Sequence, residues 1–179
     1  MGHPRVNLAL RGLRGRSVKG RFYRTVSDAR RKQVSSPFGS SKVDGRYHTA
    51  VEDQVLYLSD SPTLSMGEAT QIFRSVPIKR AAWHTATFEI DLKRVLDLTS
   101  PTVLSRLEIT LVDLVQLGPP GFRLPQTIAT EARGRGFTAI LAATARPGLQ
   151  GANVVIFLEV LTDPGASVRL LRGEADEVG

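Results

Sequence analysis

Glu68 occupies a position where a helix would ordinarily bury a leucine. Leu64, Glu68 and Ile72 recur every fourth residue, with Ala69 and Phe73 on the same stripe, which is the spacing of one helix face. A carboxylate in such a stripe loses hydration and needs a partner or a proton. The basic residues upstream that could supply the partner are Arg24 and Arg46. An anion held beside arginines in a poorly hydrated pocket could stabilise a developing positive charge or orient a hydroxyl. The plainer alternative is a buried structural ion pair.

Two other places carry reactive groups. Tyr57 lies in the apolar run 54–59, two residues before a turn built from Ser59, Asp60, Ser61 and Pro62. A strand tyrosine of this kind either packs its ring in the core with the hydroxyl bonded at the edge, or faces a ligand. The loop ATARPG after residues 137–142 presents Thr144 and Arg146 at a strand end, where loops either position ligands or simply turn. His48 and His84 lack metal-ligand spacing, and His3 lies in the N-terminal segment. The chain shows no defensible Ser-His-Asp set, no Walker loop and no G-x-G-x-x-G. No metal is expected.

The elements that must position these groups follow from punctuation and period. Ser61 suits a helix cap and Pro62 the first helical position, so a helix is predicted over 61–74. Residues 83–92 alternate Ala86, Phe88, Ile90 and Leu92 with Thr85, Thr87, Glu89 and Asp91, the period of a half-buried strand. Further strands are predicted over 21–26, 54–59, 94–98, 137–142 and 153–160, and helices over 101–107, 111–117 and 125–133. Residues 35–41 read as a loop. Helices and strands alternate without the rhythm of a doubly wound sheet, so the class is α+β, one compact domain. Residues 1–19, rich in Gly and Arg, are expected to form a flexible basic arm that is dispensable for catalysis and adds little to thermal stability. Residues 20–172 form the domain, and 173–179 an acidic, frayed tail.

Composition narrows the class further. No apolar run approaches the ~20 residues of a membrane span. The opening residues lack the compact apolar core of a secretion signal. Cysteine is absent, so disulfides and thiolate zinc sites are excluded, and a cytoplasmic setting fits. Of the net charge of +7, residues 1–46 hold 12 Lys and Arg against Asp28 and Asp44 alone. That asymmetry invites a nucleic-acid reading. Without a recognisable binding motif, direct nucleic-acid contact is not expected, and a basic regulatory module with an inert pocket stays as the alternative from another class. Homo-oligomerisation is left open.

Taken together, these pieces fall in a definite order. Tyr23-Arg24 is followed by Gly45-Arg46-Tyr47, then Leu56 to Ser59, a Ser-Pro helix start and Glu68. Further on come Val95 to Thr99, Gly136 to Ile140, the ATAR loop, and Asn153 to Phe157. From Arg21 to Leu161 this resembles the RES domain, a family named for its Arg, Glu and Ser residues. The resemblance implies a compact relative of the ADP-ribosyltransferase fold. It also implies a toxin of a bacterial toxin–antitoxin pair that degrades NAD, neutralised by a separately encoded, Xre-like antitoxin. On the same footing Arg46 matches the family arginine and Glu68 the family glutamate, while Arg24 and Tyr57 match positions of the NAD pocket, with Tyr47 beside them. The family serine has no serine counterpart: either Thr144 supplies the hydroxyl or the slot holds Ala143. The implied reaction is cleavage of the nicotinamide–ribose bond with water or phosphate as acceptor. Transfer of ADP-ribose to a protein would use the same pocket.

Overall fold

The computed structural model describes residues 4–37, 42–50, 54–72, 82–160 and 166–171. In chain order they form α1 (Pro4–Leu10), β1 (Arg16–Ser27), β2 (Val55–Ser59), α2 (Pro62–Ile72) and β3 (Trp83–Asp97). Then come α3 (Pro101–Leu107), α4 (Leu111–Val115), α5 (Arg123–Gly134), β4 (Ala139–Ala143), β5 (Ala152–Phe157) and β6 (Ser167–Leu170), with short 3-10 turns between. The α+β class stands.

The strands are ordered β1-β2-β5-β4-β3-β6, and β1 also pairs with β3. The first five strands therefore close a circuit, parallel only between β3 and β4. The circuit is splayed where β1 meets β2, which share the single registered pair Tyr23↔Ser59. A closed circuit has two faces, and alternation along each strand sorts the side chains between them. Leu56, Leu58, Phe88, Ile90, Val154 and Ile156 fill the inside. Val55, Ile140, Ala142, Val155 and Phe157 face outward, against Leu10, Leu104 and Ile128 of the helices.

Three elements depart from expectation, the first for an identifiable reason. Residues 83–97 make one strand, not two, because Lys93-Arg94 is a bulge: β1 pairs Val18↔Leu92 and Arg16↔Val95, and Arg94 takes φ 57°. The extra residue resets the alternation, turning Val95 inward and Leu96 outward. β1 starts at Arg16 and not at residue 21, and β6 was not foreseen. Ser61 does cap α2, its Oγ accepting from the Leu64 N–H at 3.2 Å. Residues 73 and 74 of the expected helix, residues 38–41 of the expected loop and the tail 173–179 lie outside the described residues.

The expected arm is a correction. Within 1–19, residues 4–10 are helical, and Val6 and Leu10 are buried at 5% and 1% exposure in the outer core. Arg106 donates to the carbonyls of Ala9 and Arg11, closing the end of α1. Val6 and Leu10 lie one turn apart on the same face of α1, and this apolar pair outweighs the Gly- and Arg-rich composition around it. Among the described residues, no helix is long and apolar enough to cross a membrane.

Because Leu10 belongs to the core, Leu10→Ala should cost about 2–5 kcal/mol. For a chain of this size that is roughly a 5–15 °C fall in Tm. Thermal denaturation checks it, and an unchanged Tm would return α1 to the status of a loose arm.

Candidate active site

The outer face of the sheet carries Tyr57 and Ser59 on β2, Asn153 on β5 and, just past β4, Thr144. Strand register explains why they meet. Ser59 lies opposite Asn153, and Asn153 opposite Ala142, so residues far apart in sequence become cross-strand neighbours. The helices α1, α3 and α5 cover the rest of this face. α2 covers it over β1 and β3, where Thr25 bonds Ser65 at 2.9 Å and Thr85 at 2.8 Å. These buried hydroxyls seat α2 one turn before Glu68.

Glu68 reaches over the strand ends from α2. Its Oε1 accepts from Thr144 Oγ1 and from Asn153 Nδ2, both at 2.9 Å, and its Oε2 accepts from Arg146 Nε at 2.7 Å. Thr144 Oγ1 also accepts the Arg146 backbone N–H at 3.1 Å. The Glu68 side chain is 26% exposed and that of Arg146 27%. The carboxylate is thus a fixed acceptor at a surface opening, not a charge sealed in an apolar stripe. The loop between Thr144 and Gly151 packs on this turn of α2 through Leu149, whose Cδ1 lies where a Cβ of residue 67 would point.

The anticipated partners of Glu68 need correcting, because neither Arg24 nor Arg46 bonds to it. Arg24 follows Phe22 on the inner face of β1 and donates to the carbonyls of Val34 and Ser36 at 3.0 and 2.7 Å. Burial lowers its pKa to about 10. Arg46 donates from Nη1 to Leu114 O and Gln116 O at 2.5 and 2.8 Å, closing the end of α4, and stacks over the Phe122 ring. Burial lowers the Arg46 pKa, while the charge of Glu68 opposes that shift and Arg146 adds to it. Arg46 is therefore within electrostatic reach of the pair without touching it. Among the described residues its Nε and Nη2 hydrogens make no hydrogen bond.

The two tyrosines differ from expectation. Tyr47 is 3% exposed and belongs to the outer core, and burial pushes its hydroxyl pKa far up. It is a packing residue and not a ring offered to a ligand. Tyr57 is half-buried and its hydroxyl is committed. His48 Nε2 faces the Val43 carbonyl at 3.0 Å and must carry the proton, so Nδ1 accepts from Tyr57 at 3.0 Å. The Tyr57 oxygen in turn accepts the Tyr47 N–H at 3.2 Å. The Gly45–His48 turn bearing Arg46 is pinned in this way, with Gln126 Nε2 donating to the carbonyls of Gly45 and His48. Gly45 is required there, because a Cβ would lie 2.1 Å from the His48 ring.

Of the two residues considered for the serine slot, Thr144 brings its hydroxyl to Glu68. Ala143, by strand alternation, faces the other side of the sheet. The residue missed outright is Asn153. Asparagine is depleted in strands, and its place at the head of the apolar run Asn153 to Phe157 was the available signal. Among the described residues no three His, Asp or Glu side chains cluster as metal ligands. A cavity of about 200 Å³ lies elsewhere, beside Arg14, Arg16 and Asp97.

The family model of the RES domain matches residues 21–172. This chain belongs to the RES domain family. No curated protein matches the chain. A solved structure with the same fold as this RES domain is one chain of the M. tuberculosis MbcT–MbcA toxin–antitoxin complex. It superposes with a TM-score of 0.77 at 20% identity, over 95% of this chain and 91% of that one. The family match begins at β1, so α1 is packed against the RES domain from outside the matched residues.

Since Tyr57 serves the turn that carries Arg46, Tyr57→Phe should remove the hydroxyl that bonds the Tyr47 N–H and His48 Nδ1. A loss of about 1–3 kcal/mol is expected, read as a lowered midpoint in urea denaturation. An unchanged midpoint would free the Tyr57 hydroxyl for another role.

Proposed function

We propose that this RES domain consumes NAD by cleaving the nicotinamide–ribose bond, as the toxin of a toxin–antitoxin pair. The observation that carries the reading is the Glu68 carboxylate, fixed by Thr144, Asn153 and Arg146 at an opening beside Arg46. As the bond breaks, its electron pair passes to the nicotinamide nitrogen and positive charge builds at the ribose C1 carbon, as in glycoside cleavage. A pre-oriented carboxylate stabilises that charge without reorganising. An acceptor oxygen, from water or phosphate, then bonds to C1 and gives up its proton.

Arg46 is the proposed binder of the dinucleotide pyrophosphate, since its free N–H groups can donate to phosphate oxygens. The ring of Tyr57, on the same face, is the proposed wall for the base. Arg24, bound to backbone carbonyls on the inner face, is assigned a structural part in this scheme, and Tyr47 a core one. Thr144 acts on the carboxylate and not on the substrate. The reaction calls on no metal. The proposed partner is a separately encoded antitoxin, Xre-like in the family's manner, and the proposed setting is the cytoplasm. The solved complex of MbcT with MbcA supports an antitoxin as partner.

Incubating the purified protein with NAD and identifying products by mass spectrometry tests the reading. Free nicotinamide with ADP-ribose or its phosphorylated form is expected, whereas ADP-ribose recovered on protein would indicate transfer instead. Glu68→Gln should lower turnover by ~10²-fold or more with the fold intact. Wild-type turnover in that variant would remove Glu68 from the chemistry. Thr144→Ser should keep activity, and Thr144→Val, similar in shape but without the hydroxyl, should lose most of it. Equal turnover in the valine variant would show that the hydroxyl plays no part.

A further inference from the structure

We infer that Asn153 is a positioning residue: its amide, locked by Ser59, occupies Oε1 of Glu68 and leaves Oε2 as the oxygen that works on the ribose. The inference deepens the NAD reading and rests on it. Ser59 is 5% exposed, and its Oγ donates to Asn153 Oδ1 at 2.8 Å. A carboxylate cannot donate to the amide, so Asn153 must turn its NH2 toward Glu68 and its carbonyl toward the Ser59 hydroxyl. The orientation is thus fixed from both ends.

The arrangement of acceptors then separates the two oxygens. Each carboxylate oxygen offers about two lone-pair directions. Both on Oε1 are taken, by Asn153 Nδ2 and Thr144 Oγ1. Among the described residues Oε2 takes one bond, from Arg146 Nε, which leaves one direction for a ribose hydroxyl or the cationic carbon. Asn153 and Ser59 belong to adjacent strands in register, so the anchor is part of the sheet and not of a loop. Loss of Asn153 would let the carboxylate rotate about its terminal torsion, which is broad for glutamate. The ground-state site would survive, and the orientation needed in the transition state would be diluted.

Asn153→Ala should lower kcat about 10- to 100-fold, the range for losing one hydrogen bond to a charged group, with KM within about twofold of wild type. Ser59→Ala should show the same split more weakly. Asn153→Asp replaces the donor by a carboxyl nearly identical in shape. Two carboxylates at that separation cannot both ionise easily, so the pair holds a proton in acid and loses it on the way to pH 8. In the folded state the introduced carboxyl therefore has a raised pKa, and its stabilising share is present in acid and lost as pH rises. The Tm of Asn153→Asp should fall relative to wild type between about pH 4 and 8, and adding Glu68→Gln should abolish that slope. Turnover of Asn153→Asp should decline over the same interval relative to wild type.

A Tm of Asn153→Asp that tracks wild type at every pH would overturn the relay, as would wild-type kcat in both Asn153→Ala and Asn153→Asp. The Tm measurement needs no turnover. If the pH-dependent coupling is present but wild-type protein leaves NAD intact, the relay stands and the substrate reading falls.

Discussion

The structure depends on holding one carboxylate still at the edge of a sheet. Glu68 is tied to groups 76, 78 and 85 residues further along the chain. Those ties exist only because β2, β5 and β4 run side by side in one register. A slip of one residue along β5 would turn Asn153 to the inner face and bring an apolar residue against the carboxylate. The apolar inside of the closed circuit, from Leu56 to Ile156, makes that slip costly. Hydrophobic alternation thereby sets the geometry of a polar site on the opposite face.

The same logic divides labour among the basic residues. Arg146 is the ion-pair partner of Glu68, while Arg46 is spent in part on the end of α4. Being partly desolvated, Arg46 adds positive potential at the opening without quenching the carboxylate. The proposed substrate, an anionic dinucleotide with a cationic nicotinamide ring, calls for both signs within one molecule's length. The two signs stand on separate supports here: a turn pinned by Tyr57, His48 and Gln126, and a helix seated by Ser65.

Much of this was legible in the sequence, for physical reasons that also mark its limit. A carboxylate interrupting an apolar stripe singled out Glu68, and Ser61-Pro62 placed the helix start, because both signals are local. The partner was misread because Arg24 and Arg46 were the basic residues upstream in sequence, whereas Arg146 arrives through strand pairing. Asn153 was hidden for the same reason. Composition misled at the N-terminus, where Gly and Arg masked the apolar pair Val6 and Leu10 on one face of α1. In β3, the chain was read as breaking at Lys93 between two strands, when Lys93-Arg94 is a bulge inside a continuous strand.

A crystal structure of the Glu68→Gln protein soaked with NAD addresses the central claim most directly. Expected are the C1 carbon of the nicotinamide ribose in contact with the residue 68 side chain, the pyrophosphate on Arg46, and Asn153 still bridging from Ser59. NAD bound elsewhere, such as in the cavity beside Arg14 and Arg16, with the face around residue 68 empty, would contradict it.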